Sequence, residues 1–115
     1  MQIEKKPAPA DTSYVYVVTR SDLPSQHQVV QACHAAYAAS HSFGKHPVPY
    51  MVLCTVENEA ALTSLFNDLK GRGVPCCSIN EPDFVGDPMT AIATGPLRGD
   101  ERKPLKRLPL LKPNG

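Results

Sequence analysis

The chain has 115 residues and a mass of 12.5 kDa, enough for one compact domain and too few for two ordinary ones. Apolar residues make up 42% and charged residues 20%, which supports a packed core and excludes a wholly disordered chain, while no apolar run approaches the ~20 residues of a membrane-spanning helix. The net charge of +1 conceals an asymmetry: residues 1–96 carry −3, whereas residues 97–115 carry +4 from Arg98, Arg102, Lys103, Lys106, Arg107 and Lys112 against Asp100 and Glu101.

Residues 1–13 mix Glu4, Lys5, Lys6, Asp11 and two prolines with no apolar stretch, and read as a polar leader with no signal peptide. Residues 14–19 (YVYVVT) are β-branched and aromatic, the pattern of a buried strand. After a turn ending in Pro24, Ser25-Gln26-His27-Gln28 fits a capping box, with Ser25 as N-cap and Gln28 reaching back. The Ala-rich helix that follows runs to about Ser42 and places Val29, Cys33, Ala36, Tyr37 and Ser40 on one face. Gly44, Pro47 and Pro49 end it.

Residues 50–56 (YMVLCTV) predict a second buried strand. Residues 57–70 carry Leu62, Leu65, Phe66 and Leu69 at helical spacing and are closed by Gly71 and Gly73. Residues 75–79 and 90–94 predict two short strands around an acidic, turn-rich loop at 80–88. The basic C-terminal stretch reads as an irregular tail whose leucines Leu105, Leu108, Leu110 and Leu111 pack locally. Helical crossovers make the strands they join parallel, and the last short connection allows an antiparallel fourth. The fold class expected is α/β: one three-layer α/β/α domain with a mixed four-stranded sheet, in the order β-α-β-α-β-β.

Chemistry in such a sheet gathers beyond the carboxyl ends of its parallel strands. Arg20 and Asp22 follow the first strand there, Glu81 and Asp83 follow the third, and the first turn of the first helix, Ser25 to Gln28, offers an anion-binding helix end. Asp22 also suits a plain turn carboxylate, and Glu81 a solvated loop. The first helix bears a polar stripe of His27, Gln31, His34 and His41. His27, in the first turn, is the better placed for acid–base work or a phosphate contact. His27 and His34 stand ~10 Å apart along an ideal helix axis, so the stripe does not predict a metal site. Four cysteines without a C-x-x-C pair, and no secretion signal, point to reduced thiols in the cytoplasm. The chain has no G-x-G-x-x-G, Walker loop, G-x-S-x-G or H-E-x-x-H, which leaves kinase, dinucleotide dehydrogenase and serine esterase readings without support.

Four stretches in order, Arg20-Ser21-Asp22-Leu23, Gln31-Ala32-Cys33-His34-Ala35-Ala36, Ile79-Asn80-Glu81 and Thr90-Ala91-Ile92-Ala93-Thr94-Gly95-Pro96, resemble the motifs of the type II peptidyl-tRNA hydrolase family. The resemblance implies a mixed four-stranded sheet between helices, often in a homodimer. It also implies hydrolysis of the ester between a peptide and the tRNA 3′ end, without metal or cofactor. By position it carries over Asp22, Gln31, His34, Glu81 and Thr90. The family's Gly-Lys-Gly-Lys stretch before the first helix has no counterpart here, where Pro24-Ser25-Gln26-His27-Gln28 holds no lysine, and Glu81 stands where the family has Asp. On this reading Glu81 or Asp22 orients the water, and His27 shuttles a proton or meets a phosphate. The Thr90 hydroxyl, with the amides of the first helix, polarises the carbonyl. Ser25, Gln31 and His34 contact the substrate end, while Arg20, Arg98, Arg102, Lys103, Lys106 and Arg107 hold the tRNA backbone. The alternative is a non-catalytic module on the same fold that binds RNA or protein, and a different acyl ester is a third reading.

Overall fold

The computed structural model describes residues 3–112. It contains strands β1 (Tyr14–Arg20), β2 (Tyr50–Val56), β3 (Cys76–Asn80) and β4 (Met89–Thr94), helices α1 (Ser25–Ser42) and α2 (Glu59–Gly71), and a C-terminal 3-10 helix, Gly99–Leu105. The sheet order is β2-β1-β4-β3. β1 and β2 pair in parallel, and β4 runs antiparallel to both β1 and β3, so the three strands that α1 and α2 connect all point one way. The expected three-layer α/β/α domain is thereby realised, and its mixed character comes from β4, the strand reached by the short connection.

The two faces of the sheet are packed differently. On the α2 side, Tyr16, Val18, Cys54, Leu62, Leu69, Ile92, Leu97 and Leu105 form a core of large side chains. Burial there pushes the Cys54 thiol up to about 11. On the α1 side, Val15 and Val17 meet Ala32, Ala35, Ala39, Ala91 and Ala93, small residues that let the helix lie close to the strands. Gly95 marks a similar close approach, because a Cβ there would come 3.2 Å from Pro75 Cγ and 3.3 Å from Phe43 Cγ.

Helix α2 starts at Glu59, two residues later than expected, because the Asn58 side chain caps it by accepting the Ala61 amide at 2.9 Å. Helix α1 differs from expectation in two ways. Its N-cap is Pro24, whose carbonyl takes the His27 and Gln28 amides at 2.9 and 3.0 Å, so Ser25 lies inside the first turn. Gln28 does reach back, but its amide donates to the carbonyls of Leu23 (2.7 Å) and Ser21 (3.3 Å) instead of capping. The face turned to the sheet is Gln31, Ala32, Ala35 and Ala39, whereas Val29, Cys33, Tyr37 and Ser40 are exposed. Alanine contributes little to a hydrophobicity pattern, so the bulkier residues drew the apolar face to the wrong side of the helix.

The C-terminal stretch is also more ordered than its composition suggests. Leu105 enters the α2-side core, and Arg102 lays its guanidinium 3.5 Å from the Tyr14 ring centre while donating to the Tyr16 hydroxyl at 2.9 Å. Beyond it the chain runs along the outer edge of β2, with the Thr55 amide bonded to Pro109 O and the Leu111 amide to Leu53 O, both at 2.9 Å. That segment covers one open edge of the sheet. Among the described residues, no helix is long and apolar enough to cross a membrane.

Candidate functional site

The carboxyl ends of β1 and β3, the start of β4 and the first turns of α1 lie together at one end of the sheet. A β-bulge gives this end its chemistry. Ile79 pairs with Ala91 and Asn80 with Met89, which leaves Thr90 as an extra residue in β4. Met89 packs toward the α2-side core, and the bulge turns the Thr90 hydroxyl toward α1.

There Thr90 Oγ1 donates to Gln31 Oε1 at 2.7 Å, and Gln31 Nε2 donates to Glu81 Oε2 at 3.1 Å. The other carboxylate oxygen, Oε1, accepts the Asp83 amide at 3.2 Å. The chemistry fixes each orientation. A carboxylate only accepts, so the Gln31 amide nitrogen must face Glu81, its carbonyl must face Thr90, and the hydroxyl must donate. Gln31 and Thr90 are buried and Glu81 is 8% exposed, at the mouth of the arrangement. The Asp83 amide first, and then the Gln31 amide, hold the Glu81 carboxyl below its usual range, with His34 adding a smaller electrostatic contribution.

A second cluster adjoins the first through Met89. Arg20 grips Asp22 in a two-pronged pair, Nε to Oδ1 and Nη2 to Oδ2, both at 2.9 Å, and its Nη1 donates to Met89 O at 3.1 Å. The Met89 amide in turn donates to Glu59 Oε2 at 2.7 Å. The pair holds the Asp22 carboxyl below its usual range and raises the Arg20 guanidinium. His27, half-buried, meets the Phe84 ring edge-on at 5.8 Å, which ties α1 to the 80–88 loop.

The structure therefore brings Gln31, Glu81 and Thr90 together on the α1 side of the sheet, with His27 reaching the same loop through Phe84 and Ser25 in the first turn of α1, whereas Arg20 and Asp22 pair near Met89 and Glu59 on the α2 side. The polar stripe on α1 does not share one environment: Gln31 faces the sheet, while His34 and His41 are exposed. The basic set divides. Arg20 lies at this end of the sheet, but Leu97, beside Arg98, bonds to Tyr14, and Arg102 stacks on that same residue. That is the far end of β1, ~20 Å from Arg20 at the rise of a strand. Lys103 pairs with Asp100 at 3.7 Å, and Lys103, Lys106 and Arg107 are exposed outside the cluster. Arg102 is engaged with two tyrosines, Tyr14 and Tyr16. Glu59 and Phe84 were not singled out in the sequence. The only signal for Glu59 was its place in the first turn of a helix, and Phe84 is simply the aromatic residue of an acidic loop. Among the described residues, no three His, Cys, Asp or Glu side chains are grouped to hold a metal ion.

No protein-family model matches the chain, and no curated protein matches it. The fold is similar to the solved structure of a protein of unknown function from Agrobacterium tumefaciens strain C58, with a TM-score of 0.63 and 13% identity over 87% of this chain and 98% of the other. At that identity the likeness establishes the shared fold alone.

Proposed function

We propose that the protein is a hydrolase of acyl esters at a tRNA 3′ end, of the peptidyl-tRNA hydrolase kind, in which Glu81 holds the attacking water. One observation carries the reading. Gln31, Glu81 and Thr90 come from three of the stretches that resemble that family, and they meet in a single chain of hydrogen bonds at the carboxyl end of the sheet. An ester hydrolase needs a water held in line and a path for its proton. Glu81 is a rigid acceptor with acceptor positions beyond those taken by Gln31 and the Asp83 amide. With its carboxyl held below the usual range it is a weak base, so it orients the water and His27, across the loop at Phe84, takes the proton. Asp22, gripped through both oxygens by Arg20, shapes the β1–α1 turn in place of the water-orienting role its position suggests.

The test is turnover of N-blocked aminoacyl-tRNA by variants that fold normally. Glu81→Gln and His27→Ala each lose on the order of 100-fold or more in rate, and Asp22→Asn loses less. Unchanged rates in the first two remove them from the mechanism. The alternative, a binding module, draws on the fact that both carboxylates are already engaged and held in their ionised forms. It predicts salt-dependent tRNA binding without cleavage.

A further inference from the structure

We infer that the crevice between the carboxyl ends of β1 and β2 binds a ribonucleoside monophosphate, with the ribose diol at Glu57 and the phosphate at Lys112. The crevice follows from the topology. β1 and β2 are parallel neighbours, yet β1 leads into α1 on one face of the sheet and β2 leads into α2 on the other. Their outgoing loops diverge there, and such a switch point is where open α/β sheets take their ligands. Two cavities of about 330 and 300 Å³ occupy this place and share Ser21, Thr55 and Pro109. The Ser21 amide bonds to Val56 O at 2.8 Å and ties the two strand ends together, while the Thr55 amide, bonded to Pro109 O, holds the C-terminal segment against them.

The lining selects the ligand. Glu57, the first residue beyond β2, lines one cavity and Lys112 the other, and the Ser21 and Thr55 side chains are common to both. None of these four side chains has a hydrogen-bond or ion-pair partner among the described residues. Arg20 and Asp22 close by are, in contrast, committed to each other. A carboxylate only accepts hydrogen bonds, so what meets Glu57 must bring donors, and the adjacent hydroxyls of a ribose supply one for each oxygen. An acid directly after the second strand of a β-α-β unit is also where nucleotide-binding sheets hold the ribose.

At the other end Lys112 calls for an anion, and the Ser21 and Thr55 hydroxyls can donate to the same phosphate. Pro109 and Leu110, the latter 61% exposed, offer the base an apolar surface. The β1–α1 turn, residues 21–24, has no glycine to bring a pyrophosphate against the backbone, so the crevice takes one phosphate and not a dinucleotide. An amino acid would satisfy both charges but is too small to fill two joined cavities of this size. The inference does not rest on the hydrolase reading, since none of these residues belongs to the Gln31–Glu81–Thr90 chain. A free mononucleotide and the last nucleotide of an RNA present the same 5′-phosphate and open diol, and the test separates them.

Titration of the full chain with AMP, followed through backbone amide chemical shifts, tests it. AMP should move the amides of Ser21, Thr55 and Glu57 and leave those of Gln31 and Glu81 in place. The 2′-deoxy analogue should bind about 10-fold more weakly, the loss of a hydrogen bond to a charged acceptor, and Glu57→Ala should abolish that preference. Lys112→Ala should weaken AMP and leave adenosine unchanged. Both residues are exposed, so neither substitution disturbs the core. A short RNA with a free 3′ diol, run alongside, names the source: tighter binding than AMP assigns the crevice to an RNA end, and equal or weaker binding assigns it to the free nucleotide. The proposal is overturned by unmoved amides at millimolar AMP, by equal binding of AMP and its deoxy analogue, or by a preference that survives Glu57→Ala.

Discussion

Three fully buried threonines, replaced in turn by valine, should respond with different signs although the change in shape is the same. Thr90 donates to Gln31 Oε1 at 2.7 Å, so Thr90→Val strands a buried amide oxygen. Thr94 Oγ1 accepts the Tyr16 amide at 3.0 Å, so Thr94→Val strands a buried backbone N–H. Each should cost about 1–3 kcal/mol, the penalty of an unsatisfied buried polar group. Thr19 is 0% exposed and its hydroxyl has no partner, the one such side-chain atom among the described residues. Thr19→Val exchanges an unsatisfied hydroxyl for a methyl of the same size in a strand, and should be neutral or stabilise by ~1 kcal/mol. Urea denaturation at fixed pH measures all three, and thermal unfolding should move about 4–8 °C per kcal/mol in a domain of this size. A Thr19→Val loss equal to the other two would refute the reasoning, as would a Thr90→Val protein with wild-type stability.

Acidification provides another check. The Asp22 and Glu81 carboxyls lie lower in the folded protein than in the unfolded chain, so their stabilisation is present above the usual carboxylate range and is lost as pH falls through the lowered folded-state values. Thermal unfolding between pH 7 and pH 2 should therefore show a flatter acid limb in Glu81→Gln than in the wild type. The Asp22→Asn effect should be smaller, since the Arg20–Asp22 pair is partly open to water. Leu105→Ala should cost about 2–4 kcal/mol by chemical denaturation, the value of a leucine deleted from a closed core. A near-zero cost would return the C-terminal stretch to a locally packed tail.

The strands were legible because YVYVVT and YMVLCTV have the composition of strands, and their ends differ from expectation by a residue at most, but β2, expected to be buried, is fully buried at Cys54 alone. Helix α2 was legible for the same reason, with Leu62 and Leu69 buried at the expected spacing. The orientation of α1 was not, since its sheet-facing alanines are chosen for closeness and carry little hydrophobic weight. The 3-10 helix was hidden by a Lys-, Arg- and Pro-rich composition that local pattern reads as tail, while its anchor, Leu105, is held by contacts far away in sequence. Asp22 and Glu81 could be named from the sequence because they follow strand ends, Gln31 because it lies in the polar stripe of α1 and in a stretch that resembles the family's helix motif, and Thr90 through the resemblance alone. Their partners could not. That Gln31 bridges Thr90 and Glu81 depends on a bulge that periodicity cannot foresee, and that Asp22 is gripped through both oxygens depends on the side-chain geometry of Arg20.

The proposed activity is tested most directly by single-turnover hydrolysis of an N-blocked aminoacyl-tRNA, with free aminoacyl-tRNA alongside and Glu81→Gln as control. The account predicts release of the acyl group by the wild-type chain, lost on the order of 100-fold or more in the variant. No release from either substrate, with salt-sensitive tRNA binding retained, would contradict it and leave a binding module on this fold.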